Sequence, residues 1–169
     1  SVPSLRFRIE ESGRTTQARP GFSPSIVLKK DEPVSITVVN TLREPTAVHW
    51  HGIELQSYFD GVAGFAGFGP RVAPIIAPRD SFEARFTPPR AGTFMYHSHV
   101  KELRQHAAGL IGPLVVLDGT REMPPDDYAF MLKAPRTDPF GGAILEVNGQ
   151  INPDTIVLHS GRAARLRFI

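Results

Sequence analysis

Short stretches of strict alternation between apolar and polar residues run along the chain. Leu5, Phe7 and Ile9 alternate with Ser4, Arg6 and Arg8. Within 33–40, Val34, Ile36 and Val38 share one face, while Ser35 and Thr37 take the other. Phe82, Ala84 and Phe86 repeat the pattern, and 114–117 closes a compact apolar run. A period of two marks a half-buried β-strand, because successive side chains leave opposite faces. Sixteen prolines and fifteen glycines fall between such stretches, so the strands must be short and joined by turns. The pattern predicts an all-β sandwich or barrel of antiparallel strands. Only 100–108 leans helical, where Lys101, Glu102, Leu103, Arg104 and Gln105 favour a turn or two.

The stretch DGTREMPPDD at 118–127 is polar and turn-rich, as a boundary would be. Three strand-like pieces follow it, at 128–133, 143–147 and 155–159, and a fourth begins at 162–169. The expected division is therefore one domain over 1–118, a linker at 119–127, and at 128–169 the opening strands of a second β domain. The chain opens on Ser1 rather than Met, as a chain relieved of a leader or a piece of a longer one would.

Composition narrows the function without naming it. The 19 basic and 17 acidic residues are interspersed and leave a net charge of +2, so no basic face suited to nucleic acid is expected. No apolar run approaches the length of a membrane span. With no cysteine, disulfides, thiolate metal sites and a cysteine nucleophile are all excluded.

The histidines carry the chemistry. Four of the six fall in two His-x-His pairs, His49-Trp50-His51 and His97-Ser98-His99. Six histidines scattered at random over such a chain would give roughly 0.2 pairs at this spacing. On a strand, residues i and i+2 point the same way, so each pair offers two imidazoles side by side. Two such strands can converge four nitrogens on one region, and imidazole suits copper, zinc, iron and nickel alike.

The surroundings are more specific. Ala47-Val48-His49-Trp50-His51-Gly52-Ile53 is followed by Asp60-Gly61-Val62. Ala91-Gly92-Thr93-Phe94-Met95-Tyr96-His97-Ser98-His99 is followed by Gly109-Leu110-Ile111-Gly112-Pro113-Leu114. In their order and spacing these segments resemble the laccase-like multicopper oxidases, which are built from Greek-key cupredoxin domains. The resemblance covers about 24–118, and the tail VNGQINPDTIVLHSGRAARLRFI resembles the start of the domain that follows in that family.

The resemblance implies half of a site. In the family, two such pairs meet two more from another cupredoxin domain, and the eight histidines hold three coppers. Carried over by position, His49 would bind the type 2 copper, His51 and His97 one copper of the type 3 pair, and His99 the other. Asp60 lies where the family has an acidic residue that helps move protons. It could equally be a turn aspartate ahead of Gly61. Trp50 and Tyr96 should pack on the opposite strand face, and Met95, Met123 and Met131 should fill core. His106 would be a surface residue or one supporting the ligands, and His159 unrelated to the site.

The type 1 copper needs a cysteine, so this chain cannot supply that centre. The missing histidines and thiolate would come from a second cupredoxin domain in cis or in trans, a homotrimer of shorter chains being one family solution. The implied reaction is one-electron oxidation of a reducing substrate coupled to reduction of dioxygen to water, in the periplasm or outside the cell. The rivals are a non-catalytic copper-binding module, a cupin in which Glu54 joins the histidines, and a zinc hydrolase.

Overall fold

In a computed structural model of the chain, residues 4–16, 22–137 and 140–169 are described, with only the backbone at 135–137. A small hairpin, β1 (Ile9–Glu11) with β2 (Arg14–Thr16), opens the fold. Then come β3 (Ile26–Lys29), β4 (Val34–Val39), β5 (Val48–His51), the short pair β6 (Gly67–Phe68) and β7 (Arg71–Val72), and β8 (Ser81–Phe86). β9 (Gly92–Ser98), helix α1 (Glu102–Ala108) and β10 (Ile111–Leu117) complete the part that carries the histidine pairs.

β4 and β8 pair antiparallel, with Val34 opposite Phe86, Ile36 opposite Ala84 and Val38 opposite Phe82. All six lie on one face, so the alternation read in each strand separately becomes a single apolar surface. Ser35 and Glu83, on the outer face, are joined by a hydrogen bond. A second sheet has the order β3-β10-β9-β5, antiparallel except where β10 pairs with β3. Its central strand β10 is buried from Gly112 through Leu117, as expected of a strand covered on both faces. Gly112 is required there, because a Cβ would stand 2.7 Å from the Tyr96 ring.

The two sheets enclose one core of Leu28, Val48, Trp50, Ile53, Ala84, Phe86, Phe94, Tyr96, Leu114 and Val116. Burying each large side chain contributes about 2 kcal/mol. Trp50 packs against Phe86 and Tyr96, and the Tyr96 hydroxyl donates to the Pro24 carbonyl at 2.6 Å. Both aromatics therefore sit on the strand face opposite the histidines, as their parity requires. Burial pushes the Tyr96 hydroxyl far above its usual pKa.

Beyond Leu117, 118–126 holds no helix or strand. β11 (Asp127–Phe130) pairs in parallel with β14 (Arg165–Phe168), and β12 (Leu132–Thr137) pairs with β13 (Ala143–Val147). Asp127 and Arg167 form a buried ion pair at 2.6 Å, and Arg167 also donates to Thr93 of β9 at 2.8 Å. One expected strand is absent: 155–159 runs without ladder pairing, and Val157 and Leu158 are exposed. An apolar run that meets no partner strand has nothing to satisfy its backbone as a strand.

Candidate metal centre

β5 and β9 are antiparallel neighbours, with His49 opposite His97, Trp50 opposite Tyr96 and His51 opposite Met95. Since Trp50 and Tyr96 turn into the core, the histidines leave the sheet on its other side. His99 lies one residue past β9, and its N–H extends the pairing by donating to the Ala47 carbonyl at 3.0 Å. The His49 ring is the hub, its centroid 5.2 Å from those of His51 and His97 and 5.5 Å from that of His99.

Ring nitrogens of His49, His51 and His97 all lie within 4.8 Å of one another. His51 Nδ1 stands 3.3 Å from His97 Nε2. Two nitrogens bound to one transition-metal ion at ~2.0–2.1 Å and a tetrahedral angle stand about that far apart. His99 is placed beside this group, with its Nε2 3.3 Å from a Glu102 carboxylate oxygen.

Hydrogen bonds fix which nitrogens face the cluster. His49 Nδ1 is 2.8 Å from the Asp60 carbonyl, and His97 Nδ1 is 2.9 Å from the Ser98 carbonyl. A carbonyl only accepts, so both Nδ1 atoms carry the proton and both Nε2 atoms keep their lone pairs. This is how metal-binding imidazoles are commonly held. His97 is only 4% exposed, and burial depresses its pKa to about 4, opposed by the Ser98 hydrogen bond and assisted by His106, His49 and His51. The ring is thus neutral at ordinary pH, the state a ligand needs. The donor set fits copper: clustered imidazoles, two of which, His49 and His97, already have their outer nitrogens anchored on carbonyls.

Asp60 reaches the site through its backbone as well as its carboxylate. Its Oδ1 is 3.3 Å from His49 Nδ1, farther than its own carbonyl oxygen. The N–H of His49 therefore serves the carbonyl, and the carboxylate remains half-exposed at the edge of the cluster. Gly61 makes this approach possible: its φ is +80°, and a Cβ there would fall 1.7 Å from the Val48 carbonyl oxygen.

Behind His97 lies a buried polar group. Thr46 Oγ1 donates to Gln105 Oε1 at 3.0 Å, Ser98 Oγ also bonds Gln105 Oε1, and Gln105 Nε2 donates to the Pro45 carbonyl and to Glu44. Glu44 in turn pairs with Lys101 and Arg104, and together with Gln105 these contacts lower its pKa. The network locks α1 onto the end of β9, where the second histidine pair sits. The helix expected at 100–108 forms as α1, closed by Gly109.

Met95 departs from expectation. Met131 is core, but Met95 is half-buried on the histidine face, opposite His51. The same period of two that aligns His97 with His99 puts Met95 there. His106 is part of the surroundings of the site: its ring meets His97 edge-on at 4.5 Å, and its Nε2 donates to the Ser98 carbonyl at 2.6 Å. His159 is exposed and outside the groups that could hold a metal among the described residues. Glu54 is also outside them, paired instead with Arg90 at 2.8 Å, which removes the basis for the cupin alternative.

Comparison with known proteins gives the family. Residues 16–121 match the family model described as multicopper oxidase. The chain belongs to the multicopper oxidase family. It is 34% identical over 118 residues to a copper resistance protein A homolog of Pseudomonas syringae, covering 69% of this chain and 19% of that protein. It is 33% identical over 128 residues to the multicopper oxidase MmcO of Mycobacterium tuberculosis, covering 76% and 24%. Among solved structures, a multi-copper oxidase from Pseudomonas thermotolerans superimposes with a TM-score of 0.73 at 27% identity, over 99% of this chain and 46% of that one. A blue copper oxidase from Nitrosomonas europaea gives 0.70 at 28%, over 96% and 57%. The fold is thus the Greek-key cupredoxin type. The chain spans about a fifth of the length of the curated relatives it matches.

Proposed function

We propose that this chain supplies half of a trinuclear copper cluster, through His49, His51, His97 and His99, to an oxidase that couples one-electron oxidation of a substrate to reduction of dioxygen to water. The observation that carries this reading is the cross-strand pairing of His49 with His97, with both Nδ1 protons spent on backbone carbonyls. Copper supplies the redox chemistry, since it cycles between two oxidation states where zinc does not.

The chain's own residues bind, orient and shield. His49 takes the type 2 position, His51 and His97 share one type 3 position, and His99 takes the other. The 3.3 Å approach of His51 Nδ1 to His97 Nε2 supports the shared assignment. Asp60, with its carboxylate beside His49 and half-exposed, accepts and delivers protons at the cluster edge. Residues 1–118 act as one cupredoxin-like unit, 119–127 as a linker, and 128–169 as the first strands of the next unit. The other four histidines and the type 1 cysteine come from a second cupredoxin domain, in cis or from a neighbouring copy in a trimer. The complete protein works in the periplasm or outside the cell.

Copper analysis tests the reading. The longest natural form containing this chain should hold roughly three or four coppers per complete unit, with this chain alone falling well short. A long form that binds no copper, or prefers zinc, contradicts it and leaves a binding or structural role.

A further inference from the structure

The peptide between Ser98 and His99 joins the two histidines of the second pair, and both of its polar atoms are held. Its N–H, on His99, donates to the Ala47 carbonyl at 3.0 Å. Its carbonyl, on Ser98, accepts from two imidazoles at once, His97 Nδ1 at 2.9 Å and His106 Nε2 at 2.6 Å. A carbonyl oxygen has two lone pairs, so this one is saturated.

The two donors are not equivalent. His97 bonds the carbonyl of the very next residue, and a bond that local lets ring and peptide swing together. His106 reaches the same oxygen from α1, which has anchors of its own. Gln105 Nε2 donates to the Pro45 carbonyl at 3.1 Å, and the N–H groups of Gly109 and Leu110 close the helix on the His106 and Gln105 carbonyls at 2.9 Å each. His106 therefore ties the peptide to the scaffold. Its ring also stands edge-on to that of His97, the centroids 4.5 Å apart, while the rings of His49, His51 and His99 follow at 5.2, 5.5 and 6.1 Å. In so close-packed a setting, turning the His97 ring would drive an edge into this neighbour.

We propose that His106 is a positioning residue of the histidine cluster: by clamping the Ser98 carbonyl and walling the His97 ring, it fixes where His97 Nε2 aims its lone pair and where His99 sits beside it. Outer partners of ligating imidazoles commonly change metal affinity by about 10–100-fold. A histidine kept only to fill space would need no donor at Nε2, and leucine would serve as well. The positioning stands on these contacts alone. Its consequence for copper rests on the function proposed above.

Two variants of the long form separate a donor from a filler. His106→Leu fills space without a donor, whereas His106→Gln keeps an amide N–H at about the reach of Nε2. In competition with a chelator, His106→Leu should hold copper at least about tenfold more weakly than the parent. The melting temperature of its metal-free form should stay within about 3 °C of the parent's, and His106→Gln should recover affinity to within about threefold. Affinity of His106→Leu within about twofold of the parent overturns the proposal, as does a His106→Gln variant no better than His106→Leu. Should His106→Leu not fold, nitrogen-15 NMR of the metal-free histidines decides. The parent and His106→Gln should show His97 with its proton on Nδ1 alone, and His106→Asn, whose shorter amide falls short of the carbonyl, should show a mixture of tautomers. A single Nδ1-protonated form in His106→Asn overturns the proposal. A parent long form that binds no copper marks failure of the cluster reading instead, and the NMR comparison still decides the positioning.

Discussion

His49 and His97 face each other directly across β5 and β9, and each spends its Nδ1 proton on a backbone carbonyl. The pair is therefore aimed before any ion arrives. Preorganisation of this kind means that the ordering cost of the two rings is met by folding rather than by binding.

The buried neutral state of His97 gives the metal-free chain an acid limb. Its folded pKa of about 4 lies below the ordinary 6.5, so below that value the unfolded ring takes a proton the folded ring refuses. Stability should be complete above about pH 6.5 and fall as the pH drops towards 4, by up to about 3 kcal/mol. Urea denaturation across this range should show the slope, and His97→Gln should flatten it. An equal slope in the variant would assign the effect to other groups.

Gly61→Ala should be costly out of proportion to its size. The added methyl would meet the Val48 carbonyl oxygen and sits at a positive φ, so the Asp60–Gly61 turn must lift away from β5. A loss of at least about 2 kcal/mol is expected, together with weaker metal binding as the Asp60 carbonyl leaves His49. Thermal denaturation and metal titration read the two effects. Gly64, with nothing within 4 Å of a Cβ, is the control for the backbone contribution alone.

Gln105→Leu removes the partner of Thr46 and Ser98 in a fully buried network. Leaving such groups unsatisfied costs about 1–3 kcal/mol. Because the network ties α1 to the end of β9, the loss should also raise hydrogen exchange at Ser98 and His99. Exchange confined to α1 would separate helix docking from the site.

Arg167→Met should destabilise by about 3–5 kcal/mol, because it strands the Asp127 carboxylate in a buried position. Arg167→Met with Asp127→Leu should recover most of that loss. A double variant as unstable as the single one would mean that the Thr93 contact, not the ion pair, holds β14.

The parts of this molecule legible in sequence are those governed by local period. Alternation placed β4 and β8, and the His-x-His spacing put each pair of imidazoles on one face. It also put Trp50 and Tyr96 on the other. Register was not legible, because the pairing of His49 with His97 joins residues far apart in the chain. Nor were the carbonyls of Asp60 and Ser98, which carry no side-chain signal. The 155–159 run has the composition of a strand, yet strand formation depends on a partner, and among the described residues none pairs with it. Met95 was legible too, since the period of two that aligns His97 with His99 puts it on the same face.

His49 and its three companions are proposed to hold copper in an oxygen-reducing cluster. The most direct measurement is electron paramagnetic resonance on the copper-loaded long form, with and without His49→Ala. A type 2 signal present in the parent and lost in the variant, with oxygen consumption lost alongside it, is the expected result. A type 2 signal that survives His49→Ala unchanged would contradict the claim.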